Sequence, residues 1–386
     1  MTSASVSAAF WARLAGIALA LTAGPGLAAD FKPDVLGTTT IPAGLQRVYV
    51  FDDALPHMPD GRIYVLDAAT LSMKGLLESG FAGMMVAAPA KHKVYVATTF
   101  YERLSRGKRT DVIQVYDDQS LKVVDEIPIP SVRAQALSYR SLFQPSADGS
   151  LLFVQNATPA TSVTAVDPTS KKELEIAAPG CYGIYPALTN SLRFATLCGD
   201  GSIGTYTIAA DLHASERKSS AKLFDADAAP LFIHAERDGD TYVFLDFNGK
   251  LLRISVEGDT ASVAETADII PADAGDWRPG GYQPFTVDAK AGVAYILMHK
   301  GASNGGHKNP SAEIWAYDLR GKKLLTRSPA AGLTSITLSA ADPTVLLAIN
   351  GVESKIMRFT IETGSRKIAA AGEIKLGETA ALIEAP

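Results

Sequence analysis

Arg62-Ile-Tyr-Val-Leu-Asp67, Val112-Ile-Gln-Val-Tyr-Asp117 and Val163-Thr-Ala-Val-Asp167 are three versions of one phrase: a strand-like apolar run, closed by an acidic residue and followed by a tight polar turn. Their acidic residues fall 50 positions apart each time, and a fixed period of that size marks a repeat architecture. The phrase returns at Ile314-Trp-Ala-Tyr-Asp318 and Met357-Arg-Phe-Thr-Ile-Glu362. Between Asp167 and Asp318 there is room for two degenerate copies, and candidates stand at Gly204-Thr-Tyr-Thr-Ile208 and Leu251-Leu-Arg-Ile-Ser-Val-Glu257. Seven copies result.

Each copy is preceded by further short runs rich in Val, Ile, Tyr and Phe, such as Lys93-Val-Tyr-Val-Ala-Thr-Thr-Phe100, Leu151-Leu-Phe-Val-Gln155, Thr241-Tyr-Val-Phe-Leu245 and Val345-Leu-Leu-Ala-Ile349. Asp148-Gly149, Asp200-Gly201, Asp238-Gly239 and Asn248-Gly249 supply turn signals between them. About four strands in roughly 50 residues matches a propeller blade, whose sheet cannot bury both faces until neighbours stack on it. The pattern predicts an all-β chain, a seven-bladed β-propeller filling residues 30–386. Two stacked sandwiches are the alternative, but they need no even period along the whole chain.

Residues 1–29 differ from the rest. Arg13 is their only charged side chain, the apolar stretch Leu14–Ala23 follows, and small residues close the segment. This reads as a secretory signal peptide, too short to span a bilayer comfortably, with cleavage after Ala28 or Ala29. A retained membrane anchor is the alternative. The net charge of −5 offers no basic face for nucleic acid, so neither a nucleic-acid nor a membrane partner is expected.

Cys181 and Cys198 are the only two cysteines. They lie symmetrically about the turn at Thr189-Asn190, so a hairpin would bring them opposite each other, and export would allow them to pair. Closing a loop of that size stabilises by on the order of 3 kcal/mol in the chain-entropy treatment. A redox-active pair is the alternative, though it usually has the Cys-x-x-Cys spacing.

Signals for chemistry are scarce. The six histidines have no metal-site spacing, and no nucleophile elbow, Walker loop or dinucleotide fingerprint is present. No metal site is expected, and chemistry within this chain alone has no motif behind it, although distant loop residues of a propeller can still assemble a site at its axis. Two loops stand out. The run Thr98-Thr-Phe-Tyr-Glu-Arg-Leu-Ser-Arg-Gly-Lys-Arg-Thr-Asp111 gathers Arg106, Lys108 and Arg109, and Asp276-Trp-Arg-Pro-Gly-Gly-Tyr-Gln283 combines Trp277 and Arg278 with a rigid turn. Both are candidate partner contacts, with ordinary solvated loops as the alternative.

Those loops, together with Gln155-Asn-Ala-Thr-Pro-Ala-Thr161, Gly180-Cys-Tyr182, Cys198-Gly-Asp-Gly201, Arg278-Pro-Gly-Gly281 and Gly306-His-Lys-Asn-Pro-Ser-Ala-Glu-Ile-Trp315, closely resemble the large subunit of quinoprotein amine dehydrogenases. The likeness runs from about residue 46 to the C-terminus. In residues 98–111 and 155–161 it looks more like the aromatic amine branch than the methylamine branch. The resemblance implies a periplasmic enzyme of two large and two small subunits that oxidises primary amines to aldehyde and ammonia. It puts the cofactor, tryptophan tryptophylquinone, and the general base on the small subunit, so that no catalytic acid or base is expected in this chain, and passes electrons to an azurin-like or amicyanin-like copper protein. It also implies that Cys181 and Cys198 form an intrachain disulfide, and that Phe81, in Glu78-Ser-Gly-Phe-Ala-Gly83, lines the substrate channel. A stand-alone exported propeller, lactonase-like or a ligand-binding module, is the competing expectation.

Overall fold

The aspartate that closes the repeated phrase at positions 67, 117, 167 and 318 builds the same turn each time. In the computed structural model, which describes residue 37 and residues 39–386 apart from 136, 137, 302 and 304, the Asp67 carboxylate accepts the backbone N–H groups of Ala69 and Thr70. Asp117 does the same for Gln119 and Ser120, Asp167 for Thr169 and Ser170, and Asp318 for Arg320 and Gly321. Four positions after each acid the backbone turns left-handed, at Leu71, Leu121, Lys171, Lys322 and, after Glu362, Arg366, with φ between 49° and 59°. Side chains tolerate that region at a cost of about 1–2 kcal/mol per residue, which the two hydrogen bonds of each aspartate offset, whereas the Glu362 carboxylate accepts the Ser365 hydroxyl instead.

These turns join the third and fourth strands of a repeating antiparallel unit. One unit is Phe143–Pro145, Leu152–Asn156, Ser162–Val166 and Glu173–Ala177, and the next is Cys181–Pro186, Arg193–Cys198, Ile203–Ile208 and Ser215–Ser219. Then come Leu231–Asp238 to Ser262–Asp268, a sheet centred on Val293–Lys300, and Leu333–Leu338 to Ile368–Lys375. The largest sheet has seven strands and holds both the first and the last of the described strands. The C-terminal strand Ala380–Glu384 pairs with Arg47–Asp52, which pairs with Gly61–Asp67. Met73–Ala88 then pairs with Gly61–Asp67 through its first half and with Lys93–Arg103 through its second.

Within a unit, the second and third strands are buried on both faces, as in Thr241–Asp246 and Ser162–Val166, while the fourth is the rim, as in the wholly exposed Ser215–Ser219. The apolar clusters lie between consecutive sheets. Tyr295 and Ile314 of one sheet pack with Ile336, Leu346 and Phe359 of the next, and Leu347 and Ile349 pack with Val48 and Val50, joining the C-terminal sheet to the N-terminal one. A sheet here completes its core only through a neighbour, the physical content of the repeat. The chain is all-β, built of antiparallel sheets in the manner of a β-propeller.

Residues Thr40–Pro386 form one compact unit. The expected signal peptide, residues 1–29, lies outside the described residues. The expected bridge is present: Cys181 sits directly opposite Cys198 in the ladder and the two are disulfide-bonded.

Candidate functional site

Phe81 stands where the long strand Met73–Ala88 changes partners. One extra residue bulges at Ser79, where the ladder to Gly61–Asp67 slips, and another between Phe81 and Met84, opposite Lys93–Arg103. Double bulging kinks the strand and re-aims its side chains. Gly80 and Ala82, on either side of Phe81, both have left-handed backbone (φ 57° and 47°). A Cβ on Gly80 would lie 2.3 Å from the Thr98 hydroxyl, and one on Gly83 would lie 2.2 Å from the Ser79 carbonyl oxygen. The Gly-Phe-Ala-Gly order is therefore a backbone requirement, and the half-buried phenyl ring is the one large side chain the kink presents. The ring meets Tyr101 edge-on with centroids 5.6 Å apart, and the Tyr101 hydroxyl donates to Gln135 Oε1 at 3.0 Å.

The carbonyls of this kink are held from behind by Arg133, whose side chain is fully buried. One guanidinium nitrogen donates to Ala82 O at 2.6 Å, and the other donates to Phe81 O at 2.9 Å and to Thr99 Oγ1 at 2.8 Å. Thr99 Oγ1 in turn donates to Asp111, which also accepts the Arg133 backbone N–H and both arms of Arg109. Burial pulls the Arg133 pKa down to about 10, well above neutral pH, so the group stays charged.

A second polar chain supports the same kink. The Ser138 hydroxyl lies 2.7 Å from Asp53 Oδ1 and 2.8 Å from Gly83 O, and its single proton can serve only one of them. A protonated Asp53 would donate to Ser138, leaving Ser138 to donate to Gly83. Burial agrees: it raises Asp53 from 3.8 to about 6, against the hydrogen bonds from Ser138 and the charge of Arg133, while Asp52 adds to the rise. A carboxyl whose folded pKa is raised stabilises fully below the unfolded value and loses that contribution as pH climbs through about 6. At about 1.4 kcal/mol per unit, ionised Asp53 costs on the order of 3 kcal/mol at pH 8. Asp53→Asn should therefore raise the melting temperature by several degrees at pH 8 and leave it nearly unchanged at pH 4 in scanning calorimetry. An equal shift at both pH values would refute the assignment.

The basic loop forms a hairpin whose tip carries Leu104, 80 % exposed, flanked by exposed Arg106 and Lys108. Arg109 is committed inward, to Asp111 and to Arg133 O. Trp277 is buried against Trp315, with ring centroids 5.4 Å apart, beneath the cations of Arg327 and Lys300. Arg278 is half-buried and donates to Trp277 O. What this corner presents outward is thus Arg327 and Lys300 above the Trp277 ring.

Beside the first strands of several sheets lies a cavity of about 230 Å³ lined by Arg140, Gln144, Tyr185, Glu236 and Glu384. Arg140 pairs with Glu236 at 3.1 Å and Glu384 at 3.3 Å, and His234 lies 3.2 Å from Glu236. Burial raises Glu384, whereas for Glu236 it is outweighed by Arg140 and His234, leaving that carboxyl lowered. Among the described residues no three His, Cys, Asp or Glu side chains converge to hold a metal ion.

Arg133, Ser138 and Asp53 have no signal in the sequence. Each is a single polar residue without period or motif, and its role exists only where distant loops meet. Tyr101 and Asp111 lie inside a loop that the sequence does mark, but the edge-on contact of Tyr101 with Phe81 follows from ladder register, and the bonds of Asp111 to Arg133 from the fold.

The methylamine dehydrogenase heavy chain (MADH) family matches residues 44–383. The methylamine dehydrogenase heavy chain of Methylophilus methylotrophus is 26% identical over 326 residues, 83% of this chain and 79% of that one. That of Methylorubrum extorquens is 25% identical over 371 residues, covering 94% and 88%. Among solved structures, the periplasmic gluconolactonase of Pseudomonas aeruginosa superimposes with a TM-score of 0.61 at 14% identity, covering 88% of this chain and 99% of that one. A putative 6-phosphogluconolactonase from Bacteroides fragilis gives 0.60 at 10%, covering 90% and 98%. At such identities these structures speak for the fold alone. The family match spans nearly the whole compact unit, and this chain belongs to the methylamine dehydrogenase heavy chain family.

Proposed function

We propose that this chain is the large, non-quinone subunit of a periplasmic amine dehydrogenase, exported by residues 1–29, assembled as two large and two small subunits. In this reading the sheets are seven blades of a closed ring, with Met73–Ala88 serving as the outer strand of one blade and the inner strand of the next. The complex oxidises a primary amine to aldehyde and ammonia, and an azurin-like or amicyanin-like copper protein takes the electrons. The lean toward aromatic amines rests on residues 98–111 and 155–161.

This chain's own residues do not fit the tryptophan tryptophylquinone. Its two described tryptophans, Trp277 and Trp315, are 3% and 1% exposed and covered by the Arg327 guanidinium, so a substrate could not reach them. The reading therefore puts the quinone, and with it the chemistry on the amine, on the small subunit. What this chain contributes is geometric: an apolar ring at the entrance that excludes water and sets the width open to the amine's side chain.

The observation that carries the reading is Phe81, half-exposed on a clamped kink at the same sheet end as the hairpin tip of Leu104, Arg106 and Lys108. A small subunit seated on that tip would cover the open side of Phe81 and bury the exposed leucine. Co-expression of the two subunits is the test. A quinone absorption band should form in the complex with wild-type chain and with Phe81→Ala alike. The variant should shift kcat/KM between methylamine and 2-phenylethylamine by about tenfold, the scale of a reshaped apolar pocket. An unchanged ratio would remove Phe81 from the channel.

The arginine-bearing cavity, in a fold shared with lactonases, is the feature that favours a stand-alone enzyme. Lactone hydrolysis by the purified chain would establish that reading in place of the first.

A further inference from the structure

We propose that Arg133 is the positioning residue for Phe81, and that through it the chain sets the selectivity of the entrance, with Tyr101 and Gln135 as the wall against which the ring is held. The inference rests on the reading of Phe81 as a channel residue.

Three observations carry it. First, Arg133 is a fully buried guanidinium whose hydrogen bonds go to the carbonyls of Phe81, Ala82 and Ala134 and to a hydroxyl, while its Nε finds no partner. Burying a charge on carbonyl dipoles is expensive, and a neutral packed side chain would fill the space at lower cost. Second, the two carbonyls it holds belong to the peptides on either side of left-handed Ala82, the first of them Phe81's own, so the guanidinium fixes the orientation of the very backbone that aims the ring. Two donors in one plane define a direction, which a single ammonium cannot do. Third, the Arg133 backbone is itself pinned, its N–H to Asp111 and its carbonyl by Arg109, and it bridges to Asn156 of the following sheet. The aim of Phe81 is thereby referenced to two sheets rather than to its own flexible kink.

On the other side of the ring, Tyr101 meets Phe81 edge-on and is anchored through its hydroxyl to Gln135, two residues after Arg133. One loop therefore fixes both the ring and the wall. Misaiming a positioning group by about 1 Å is enough to change rates a hundredfold where geometry is limiting.

The test uses the co-expressed two-subunit enzyme with Arg133→Lys, Arg133→Met, Phe81→Ala and the double variant Arg133→Lys/Phe81→Ala. Methylamine and 2-phenylethylamine are the probes, and thermal melting and the quinone band are the controls. Arg133→Lys should raise KM for the preferred amine about tenfold with kcat changed little, altering the ratio between the two amines, and Arg133→Met should alter it further. In the Phe81→Ala background Arg133→Lys should leave the ratio where Phe81→Ala alone sets it, a non-additivity that general destabilisation does not produce. Where an Arg133 variant fails to assemble, Thr99→Val, which removes one guanidinium acceptor, should shift the ratio in the same direction. Equal slowing of both amines, or an Arg133 effect on the ratio that persists without the Phe81 ring, would overturn the inference while leaving the Phe81 reading intact. A ratio unmoved by Phe81→Ala itself would overturn both.

Discussion

Replacing Asp52 with alanine should cost about 3–5 kcal/mol of folding stability, the scale for removing the charged partner of several buried hydrogen bonds. Asp52 is 2% exposed at the end of the strand Arg47–Asp52, and its carboxylate accepts the backbone N–H groups of Ala54 at 2.9 Å, Glu378 at 2.8 Å and Thr379 at 3.0 Å. It also accepts the Thr379 hydroxyl at 3.1 Å, which in turn accepts the N–H of Leu55. Glu378 and Thr379 lead directly into Ala380–Glu384, the C-terminal strand that completes the N-terminal sheet. The alanine variant leaves three backbone donors without an acceptor, beside the ladder that joins the first and last described strands. Guanidinium unfolding measures the loss, and Asp52→Asn, which keeps one acceptor oxygen, should lose roughly half as much. A loss below about 1 kcal/mol for Asp52→Ala would show that the C-terminal strand is held by its ladder and apolar contacts alone.

Arg140→Met should destabilise by about 2–3 kcal/mol at pH 8, and the deficit should shrink toward pH 5. Removing one partner of a fully buried ion pair costs about 3–5 kcal/mol. The smaller figure applies because Arg140 keeps 37% of its side-chain surface open to the cavity, where water screens it. Without the guanidinium, Glu236 and Glu384 face each other with His234 left to compensate. Burial already raises Glu384, and with Arg140 gone Glu236 loses the largest influence that lowers it. Both carboxyls then favour protonation in the folded state, so the variant's penalty is full where they must ionise and fades as falling pH lets them take protons. Denaturation midpoints at pH 8 and pH 5 for wild type and variant decide the matter. A deficit constant across that range would mean that Arg140 acts through packing and not charge.

Much of the architecture was legible because its chemistry is local. An acid at the end of the third strand closes its turn with N–H groups two and three residues on, and a left-handed residue follows at the fourth, so the phrase repeats with the sheet. Cys181 and Cys198 pair because a single hairpin brings them opposite each other, although a bulge between Tyr182 and Tyr185, which counting from Thr189-Asn190 does not show, sets the final register. Phe81 was legible only through the family resemblance, and the ladder shows why glycines flank it: neither Gly80 nor Gly83 has room for a Cβ. The basic loop was legible as a feature, but not the division of labour within it: Arg106 and Lys108 face outward, while Arg109 turns in to Asp111. The aromatic of the other loop, Trp277, likewise lies under Arg327 and Lys300.

By itself the amino-acid order determined an all-β chain of regular period, its turns and its disulfide, all of which depend on residues within a hairpin of one another. Tertiary structure alone decided what surrounds the kink that carries Phe81: Arg133 reaches Ala82 across 51 residues, Ser138 reaches Asp53 across 85, and Thr379 reaches Asp52 across 327. A lone buried polar residue has no period to betray it. Its partners are chosen by which sheets end up adjacent, and that is fixed only when the first and last described strands meet.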